Sequence, residues 1–494
     1  MNLEPDFCYQ ALRSHDARFD GVFFVAVRTT RIYCRPICPA RVPRFESCTF
    51  YPSAAAAEKD GYRPCLRCRP ELAPGNASVD AVSRMAALAM NRIEDGALTE
   101  GSIEDLAASM GISARHLRRV VESEFGVSPI QIAQTQRLLL AKRLLTDTNL
   151  PVTEIALASG FSSLRRFNAL FLERYRMNPT NLRKTAKHKR PVDYLICELA
   201  YKQPFDWHAM LNFLKPRACP GVESVTGDTY LRTVSIGKHR GWLKVEKSNN
   251  RHTLVVSISP SLAPVLLQVA ARVKRLFDLH LNPASVIDHL GELAKSNPGL
   301  RVPGAFDGFE LAVRALLGQV VSVKAATTLA SRVTKSFGEE FETLIPELVA
   351  LSPSAKVIAN AKIEEFVSIG IPAPRASAIV GMARLVEHGE LELEPGSDYD
   401  RTVATLKSIA GIGDWTAEYI AMRCLAWPDA FPYSDLGIKK ALSMTKAKAL
   451  IQAAEKWRPW RSYATMHLWK TLEKNDEAVL YILPEPCGPV SVNE

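Results

Sequence analysis

Apolar positions recur along this chain at two different spacings, and the spacing changes from region to region. Between 79 and 182 they return every three or four residues, interrupted by short glycine-marked turns, which predicts helices throughout. Two stretches share one plan. In 102–126, Ile103, Leu106 and Ala107 form an inward face, Gly111 turns the chain, and Leu117, Val120 and Val121 anchor a second helix. In 152–179, Gly160 makes the turn and Leu164, Phe167, Leu170 and Phe171 are expected to pack. Runs at 21–30, 229–237 and 252–259 read as strands, and 262–279 reads as a helix. Residues 286–483 are again mostly helical in pattern. The Pro/Gly stretch at 71–78 reads as a linker. Residues 183–190, with five Lys/Arg in eight positions, read as an exposed basic connection.

The 494 residues correspond to three or four domains at roughly 150 residues each. A hydrophobic share of 47% is enough for several cores and excludes collagen-like and disordered classes for the bulk of the chain. The net charge of +10 is unevenly placed. Residues 1–190 hold 28 Lys/Arg against 19 Asp/Glu, so nearly all of the excess lies there. A polyanion, most often nucleic acid, is the partner this suggests, and a merely soluble basic surface is the alternative. No run of 18 apolar residues is present, so no membrane span is expected. The first residues have neither the basic start nor the apolar core of a secretory signal, so a cytoplasmic location with reduced thiols is expected.

Reduced thiols give the cysteines a particular meaning. Six of the ten lie in the first 68 residues. Cys34-x3-Cys38-x26-Cys65-x2-Cys68 places two close pairs either side of a long loop, the spacing that a single tetrahedral Zn²⁺ needs. A set of unrelated thiols is the bland alternative. Cys48 is read as a buried small residue. A Zn(Cys)4 centre carries a formal charge of −2, and an exposed thiolate ligand retains nucleophilic character. Most such centres are only structural.

Farther on, Gly411-Ile412-Gly413 lies between two apolar helical stretches. Glycines permit a tight hairpin whose backbone amides can face a DNA phosphate. Trp415 and Tyr419 share one face of the following helix. Asp435 stands at the start of another helix, where it is either an N-cap or a catalytic carboxylate. On the two turn-linked helical pairs, Arg115, Arg118 and Arg119, then Arg165, Arg166 and Asn168, face outward. Such faces suit a DNA groove, or are the solvated side of a bundle.

Three resemblances bear on these choices. VRTTRIYCRPICPAR (27–41) with GYRPCLRC (61–68) resembles the N-terminal domain of the Ada methyl-response family. The resemblance implies that Cys34 accepts a methyl group from a DNA methylphosphotriester, with Cys38, Cys65 and Cys68 as the other ligands. Methylation would take the centre from −2 to −1. At about 5 Å and an effective dielectric near 20, one charge is worth roughly 3 kcal/mol against a phosphate. The duplicated helical pattern with its connecting helix at 130–145 is similar to AraC-type DNA-binding domains.

Residues 198–485 resemble the AlkA family of 3-methyladenine DNA glycosylases, of the helix-hairpin-helix superfamily. QPFDWHAMLNFL (203–214), VRALLGQVVSVKAA (313–326), the Gly411–Gly413 hairpin, SDLGIKK (434–440) and WRPWRSYATMHLW (457–469) carry that resemblance. It implies that Asp435 is catalytic and that Trp415, Tyr419 and Trp469 line the pocket for a flipped base. Val320, beside Gln319, takes the wedge position, where the family usually has Leu. Backbone carbonyls near Lys407, Ile409 and Ile412 would hold a monovalent cation such as Na⁺. Related bifunctional enzymes carry Lys two residues after the second hairpin glycine. Trp415 stands there, so base excision without strand cleavage is expected.

Together these imply a multidomain, mixed fold. It comprises a small zinc-bound α/β domain (1–75), an all-α double helix-turn-helix domain (79–187), an α+β domain (191–285) and an all-α helix-hairpin-helix glycosylase domain (286–485). The expected protein is a monomer acting on double-stranded DNA, both alkylated and promoter DNA, and contacting RNA polymerase. It would be a bifunctional activator of the alkylation response and glycosylase. The alternatives are a glycosylase with a purely structural zinc head, and a methyl-responsive factor whose glycosylase region only binds DNA. No methyltransferase motif of the PCHR type is present, so direct repair of O6-methylguanine is not expected.

Overall fold

Alternation and capping explain most of the elements. The computed structural model describes residues 3–74, 84–94, 96–148, 150–185 and 194–479. Near the N-terminus a four-stranded sheet has the order β3-β1-β2-β4, with β1 Phe24–Val27, β2 Ile32–Cys34, β3 Cys48–Tyr51 and β4 Arg63–Pro64. β1 pairs antiparallel with β2 and β3, and β2 runs parallel to β4. The strand read at 21–30 is therefore only four residues long, because Thr30 and Arg31 turn the chain into β2; the Thr30 and Arg31 amides both donate to Val27 O. Cys48 is half-buried rather than buried, and its thiol meets Arg44 O.

Helices dominate from Arg84 to Thr185. Ser102 and Asp105 form a reciprocal cap on Ile103–Ser109, and Ser128 with Gln131 does the same on Pro129–Asp147. Both turn-linked pairs form: Ile103–Ser109 with Ala114–Phe125, and Val152–Ala158 with Leu164–Tyr175. Ile103, Leu106, Ala107, Leu117 and Val121 are buried, with Val120 half-buried. Phe167 and Phe171 are buried and Leu170 half-buried. Leu164 departs from expectation and is 39% exposed. Ser163 caps the helix, so Leu164 is its first residue; it shares the stripe of Phe167, Phe171 and Tyr175, but its side chain leans back past the helix end, where no preceding turn covers it. The linker read at 71–78 begins as a short turn, Pro70–Leu72; residues 75–78, and the basic run from residue 186, lie outside the described residues.

A five-stranded antiparallel sheet follows: β5 Leu195–Ala200, β6 Glu223–Thr226, β7 Thr229–Ile236, β8 His239–Lys247 and β9 Thr253–Ile258, in the order β5-β9-β8-β7-β6. β5, β6 and β8 add to the two strands read from sequence. The helix read at 262–279 is shorter. Pro264 confines 260–265 to 3-10 geometry, and the α-helix runs Leu266–Leu276. The rest is helical apart from a short ladder between β10 (Glu339–Glu340) and β11 (Ala350–Leu351).

One continuous apolar core joins the second helix pair to the five-stranded sheet. Leu138, Phe161, Phe167 and Phe171 belong to the same cluster as Leu243, Val256, Val273 and Phe277. Two further clusters fill the helical C-terminal part, and they meet around the hairpin.

Candidate functional site

The parallel pairing of β2 and β4 brings the cysteine pairs together. Arg63 N–H donates to Arg31 O, and Cys65 N–H to Tyr33 O at 3.0 Å, so Cys65 lies beside the end of β2 where Cys34 stands. Cys38 follows in a turn closed onto Arg35 O. The four Sγ atoms lie within 4.8 Å of one another. Tetrahedral zinc with bonds of about 2.3 Å places sulfurs roughly 3.8 Å apart, so the donor set fits that ion. Cys38, Cys65 and Cys68 are buried, and Cys34 is the half-buried member. Backbone amides of Arg67 and Arg35 donate to Cys65 and Cys68 at 3.4 Å. The thiols act on one another: hydrogen bonding with Cys38 pushes Cys34 up, and hydrogen bonding with Cys34 holds Cys65 down. Buried Arg35 grips Asp20 through two bonds and donates to Cys68 O at 3.1 Å, fixing the chain on either side of the cluster.

On the second helix pair, Arg165, Arg166 and Asn168 are all exposed, as are Arg115, Arg118 and Arg119 on the first. Arg118 pairs with Glu104 at 3.0 Å. These side chains form open faces without a pocket.

The third site is built around the hairpin between helices Tyr399–Ser408 and Asp414–Arg423. Gly411 has φ +95°, which favours glycine. Gly413 caps the second helix in extended conformation. Trp415 and Tyr419 stack with centroids 5.2 Å apart and planes 13° apart. Tyr419 lies 6.4 Å from Trp469, which comes from helix Arg461–Val479. Asp435 is the N-cap of its helix and also faces the aromatic rings. Its Oδ1 accepts Ile438 N–H at 3.0 Å, capping helix Leu436–Leu442, and the carboxylate faces the rings. Trp469 Nε1 donates to Oδ1 and Trp415 Nε1 to Oδ2, each at 2.9 Å. The cavity beside it has a volume of about 340 Å³ and is lined by Trp415, Tyr419, Trp469, Arg423 and Asp435. Glu223 and Arg314 also line it; although burial works against the charge, Arg314 and Arg232 hold Glu223 down at about 2.

Gln319 and Val320 lie between helices Gly308–Leu317 and Val323–Phe337. Gln319 Nε2 donates to Gly411 O at 2.9 Å and Thr416 Oγ1 at 2.8 Å, tying this connection to the hairpin. Val320 is fully exposed at φ +57°. Of the three residues named for a cation site, Ile409 already uses its carbonyl to accept Ile412 N–H at 3.0 Å, and Lys407 Nζ pairs with Asp414.

Two residues that support the aromatic rings escaped the sequence reading. Phe213 stacks on Trp469 at 6.4 Å and 17°. It lies on helix Trp207–Leu214, off the face of Trp207, Met210, Leu211 and Leu214 that packs inward, and an aromatic outside the buried stripe was the available signal. Arg423 is buried, donates to Tyr419 OH at 2.6 Å and to Pro303 O at 2.7 Å, and lies 5.0 Å from the Phe213 ring. Its i+4 position relative to Tyr419 was the one local signal; the contacts that bury it, to Pro303 and Phe213, come from distant parts of the chain.

Comparison with known proteins places these sites in context. Residues 7–71 match the metal binding domain of Ada, 106–185 a helix-turn-helix domain, and 196–307 the AlkA N-terminal domain. A probable bifunctional transcriptional activator/DNA repair enzyme AlkA of Mycobacterium tuberculosis is 36% identical over 95% of this chain and 97% of its own. DNA-3-methyladenine glycosylase 2 of Escherichia coli is 38% identical over 55% of this chain and 96% of its own. The bifunctional transcriptional activator/DNA repair enzyme Ada of Escherichia coli is 33% identical over 38% of this chain and 49% of its own. No helix among the described residues is long and apolar enough to cross a membrane.

Proposed function

Since the chain belongs to the family of bifunctional transcriptional activator/DNA repair enzymes of the AlkA type, we propose how its residues divide the work. It acts on DNA as a glycosylase in its C-terminal part and as a methyl-responsive activator in its N-terminal part. The units 1–75, 79–187, 191–285 and 286–485 carry the sensing, promoter-reading, supporting and excising roles.

The observation that carries the glycosylase reading is the Asp435 carboxylate, held by two indole N–H groups and one helix amide at the edge of an aromatic cavity. An N3- or N7-alkylated purine is cationic, and electron-rich rings attract it once it leaves the duplex. The glycosidic bond breaks with its electrons going to the departing base, and the sugar takes on oxocarbenium character. Oδ1 accepts two bonds, from Trp469 and Ile438, whereas Oδ2 accepts only the Trp415 indole among the described residues and keeps a lone pair. The carboxylate therefore stabilises C1′ and accepts a proton from the water that attacks it. Val320 fills the vacated stack. Trp415 offers no amine to C1′, so excision proceeds without Schiff-base chemistry. Carbonyls of Lys407, Ile409 and Ile412 would seat a monovalent cation.

At the sensor, Cys34, Cys38, Cys65 and Cys68 would hold zinc, which when bound keeps the sulfurs ionised at neutral pH. Cys34 Sγ, the accessible sulfur, attacks the methyl carbon of a phosphotriester. The S–C bond forms as the C–O bond breaks, and the phosphodiester anion leaves. Arg165, Arg166 and Asn168 face promoter DNA, and contact with RNA polymerase by a monomer completes the reading.

The test uses duplex DNA treated with a radiolabelled methylating agent. Label is expected both as free base and on the Cys34 peptide. Asp435→Asn should cut base release by roughly 100-fold or more while leaving protein label intact. Free base alone would reduce the zinc site to a structural role. Protein label alone would make the glycosylase region a binding module.

A further inference from the structure

The hairpin's second helix does more than carry Trp415 and Tyr419. One residue before each ring stands a carboxylate, Asp414 and Glu418, on a neighbouring face of the same helix. Both reach the segment that leads into Asp435. Asp414 Oδ2 accepts Tyr433 OH at 2.5 Å, two residues before Asp435. Glu418 Oε2 accepts Phe431 N–H at 2.9 Å, and its Oε1 accepts Tyr399 OH at 2.7 Å. The other oxygen of Asp414 pairs with Lys407 Nζ at 2.5 Å, from the first hairpin helix.

The far end of the same loop is fastened separately. Ser462 Oγ donates to Trp427 O and Ala430 O, and Arg461 binds Asp429. Between Ala430 and Asp435, the side-chain bonds found among the described residues are those to Asp414 and Glu418. Neither carboxylate lines the aromatic cavity. Their bonds set where the loop ends, and the loop's end is the reacting carboxylate.

We propose that Asp414 and Glu418 are positioning residues, which hold residues 431–433 to the hairpin helix and thereby set Asp435 against the sugar of the flipped nucleotide. The inference rests on the glycosylase reading above. It makes one helix the common reference for the pocket rings, the hairpin and the catalytic loop. Burial pushes Glu418 up, and hydrogen bonds from Lys407 and Tyr433 hold Asp414 down, in keeping with groups committed to named partners.

The experiment uses the full chain. Base release is followed under single turnover on duplex DNA carrying one 7-methylguanine. Affinity is measured for a duplex with a tetrahydrofuran abasic analogue, and amide exchange is read on the peptide spanning 426–436. Tyr433→Phe and Glu418→Ala are expected to slow release on the order of tenfold, because small misplacements at a reacting centre are costly in rate. Abasic-DNA affinity should stay within about twofold, since the hairpin amides and the wedge are untouched. Exchange at Phe431 should quicken in Glu418→Ala. Asp414→Ala combined with Tyr433→Phe should be no slower than Asp414→Ala alone, because the bond lost in Tyr433→Phe is already missing there. Asp414→Asn, which keeps an acceptor, should recover most of the rate.

Unchanged release in Tyr433→Phe and Glu418→Ala, additive losses in the double variant, or parallel loss of release and affinity would each overturn the proposal. Tyr433→Phe deletes one oxygen and keeps the ring, so it serves if the carboxylate variants fail to fold. Should the wild-type protein release no base, the glycosylase reading falls. Exchange at Phe431 then decides the clamp alone: faster exchange in Glu418→Ala upholds it, and no change sinks it.

Discussion

Val320 adopts φ +57°, where a β-branched side chain crowds its own backbone, at a cost of about 1–3 kcal/mol. Nothing packs on it to repay that cost, since it is fully exposed. The strain makes sense if the side chain is repaid in the DNA complex. Val320→Gly should therefore leave thermal stability unchanged or slightly raised, and weaken binding to abasic-analogue duplex by about tenfold. A variant that melts earlier with unaltered affinity would make Val320 a folding residue instead. Asp435 shows a related economy of position. The cap that starts its helix and the bonds that present its carboxylate use the same two oxygens, so the N-cap and catalytic readings are compatible rather than rival.

Among the elements, the two turn-linked helix pairs look alike in sequence, but their turning glycines meet different surroundings. Gly111 at φ +69° has open space where a Cβ would stand. Gly160 at φ +79° has Thr99 Cγ2 at 2.8 Å and Arg137 Nε at 3.3 Å from that point. Gly111→Ala carries only the backbone penalty, about 1 kcal/mol. Gly160→Ala adds a clash with the connecting helix and the segment before it, so it should cost about 1–3 kcal/mol more. Thermal melting of both variants checks the order; equal losses would show that the neighbours of Gly160 yield freely. The capping serines at 102, 113, 128 and 163 each accept an amide of their own helix, which is why these boundaries could be read locally. Leu164 was misplaced because periodicity places a residue on a face but does not say whether the first residue of a helix, whose side chain leans back past the end, finds anything to cover it.

At the scale of the whole molecule, Glu58 joins three parts that are distant in sequence. Its carboxylate accepts Tyr33 OH at 3.0 Å and Thr135 Oγ1 at 2.9 Å, and its backbone carbonyl accepts a bond from Arg174. Burial pushes its carboxyl up to about 7. With a folded value above the unfolded one, its contribution to stability is full below pH 4.5 and is lost as pH rises through about 7. Glu58→Gln should thus match wild type near pH 4 and exceed it near pH 8, by up to about 3 kcal/mol. A difference that does not vary with pH would show that the buried carboxyl does not titrate in this window. The four cysteines, the glycine hairpin, the capped helices and Asp435 were legible in the chain, because each depends on spacing within a few residues or on a motif whose chemistry is local. The pairing of β2 with β4, the packing of Phe213 and Arg423 against the pocket rings, the Glu58 junction and the core shared by the second helix pair and the five-stranded sheet were decided only by the tertiary structure. Those features depend on which buried surfaces meet across long separations in the chain, and apolar burial has no direction that a local pattern can record.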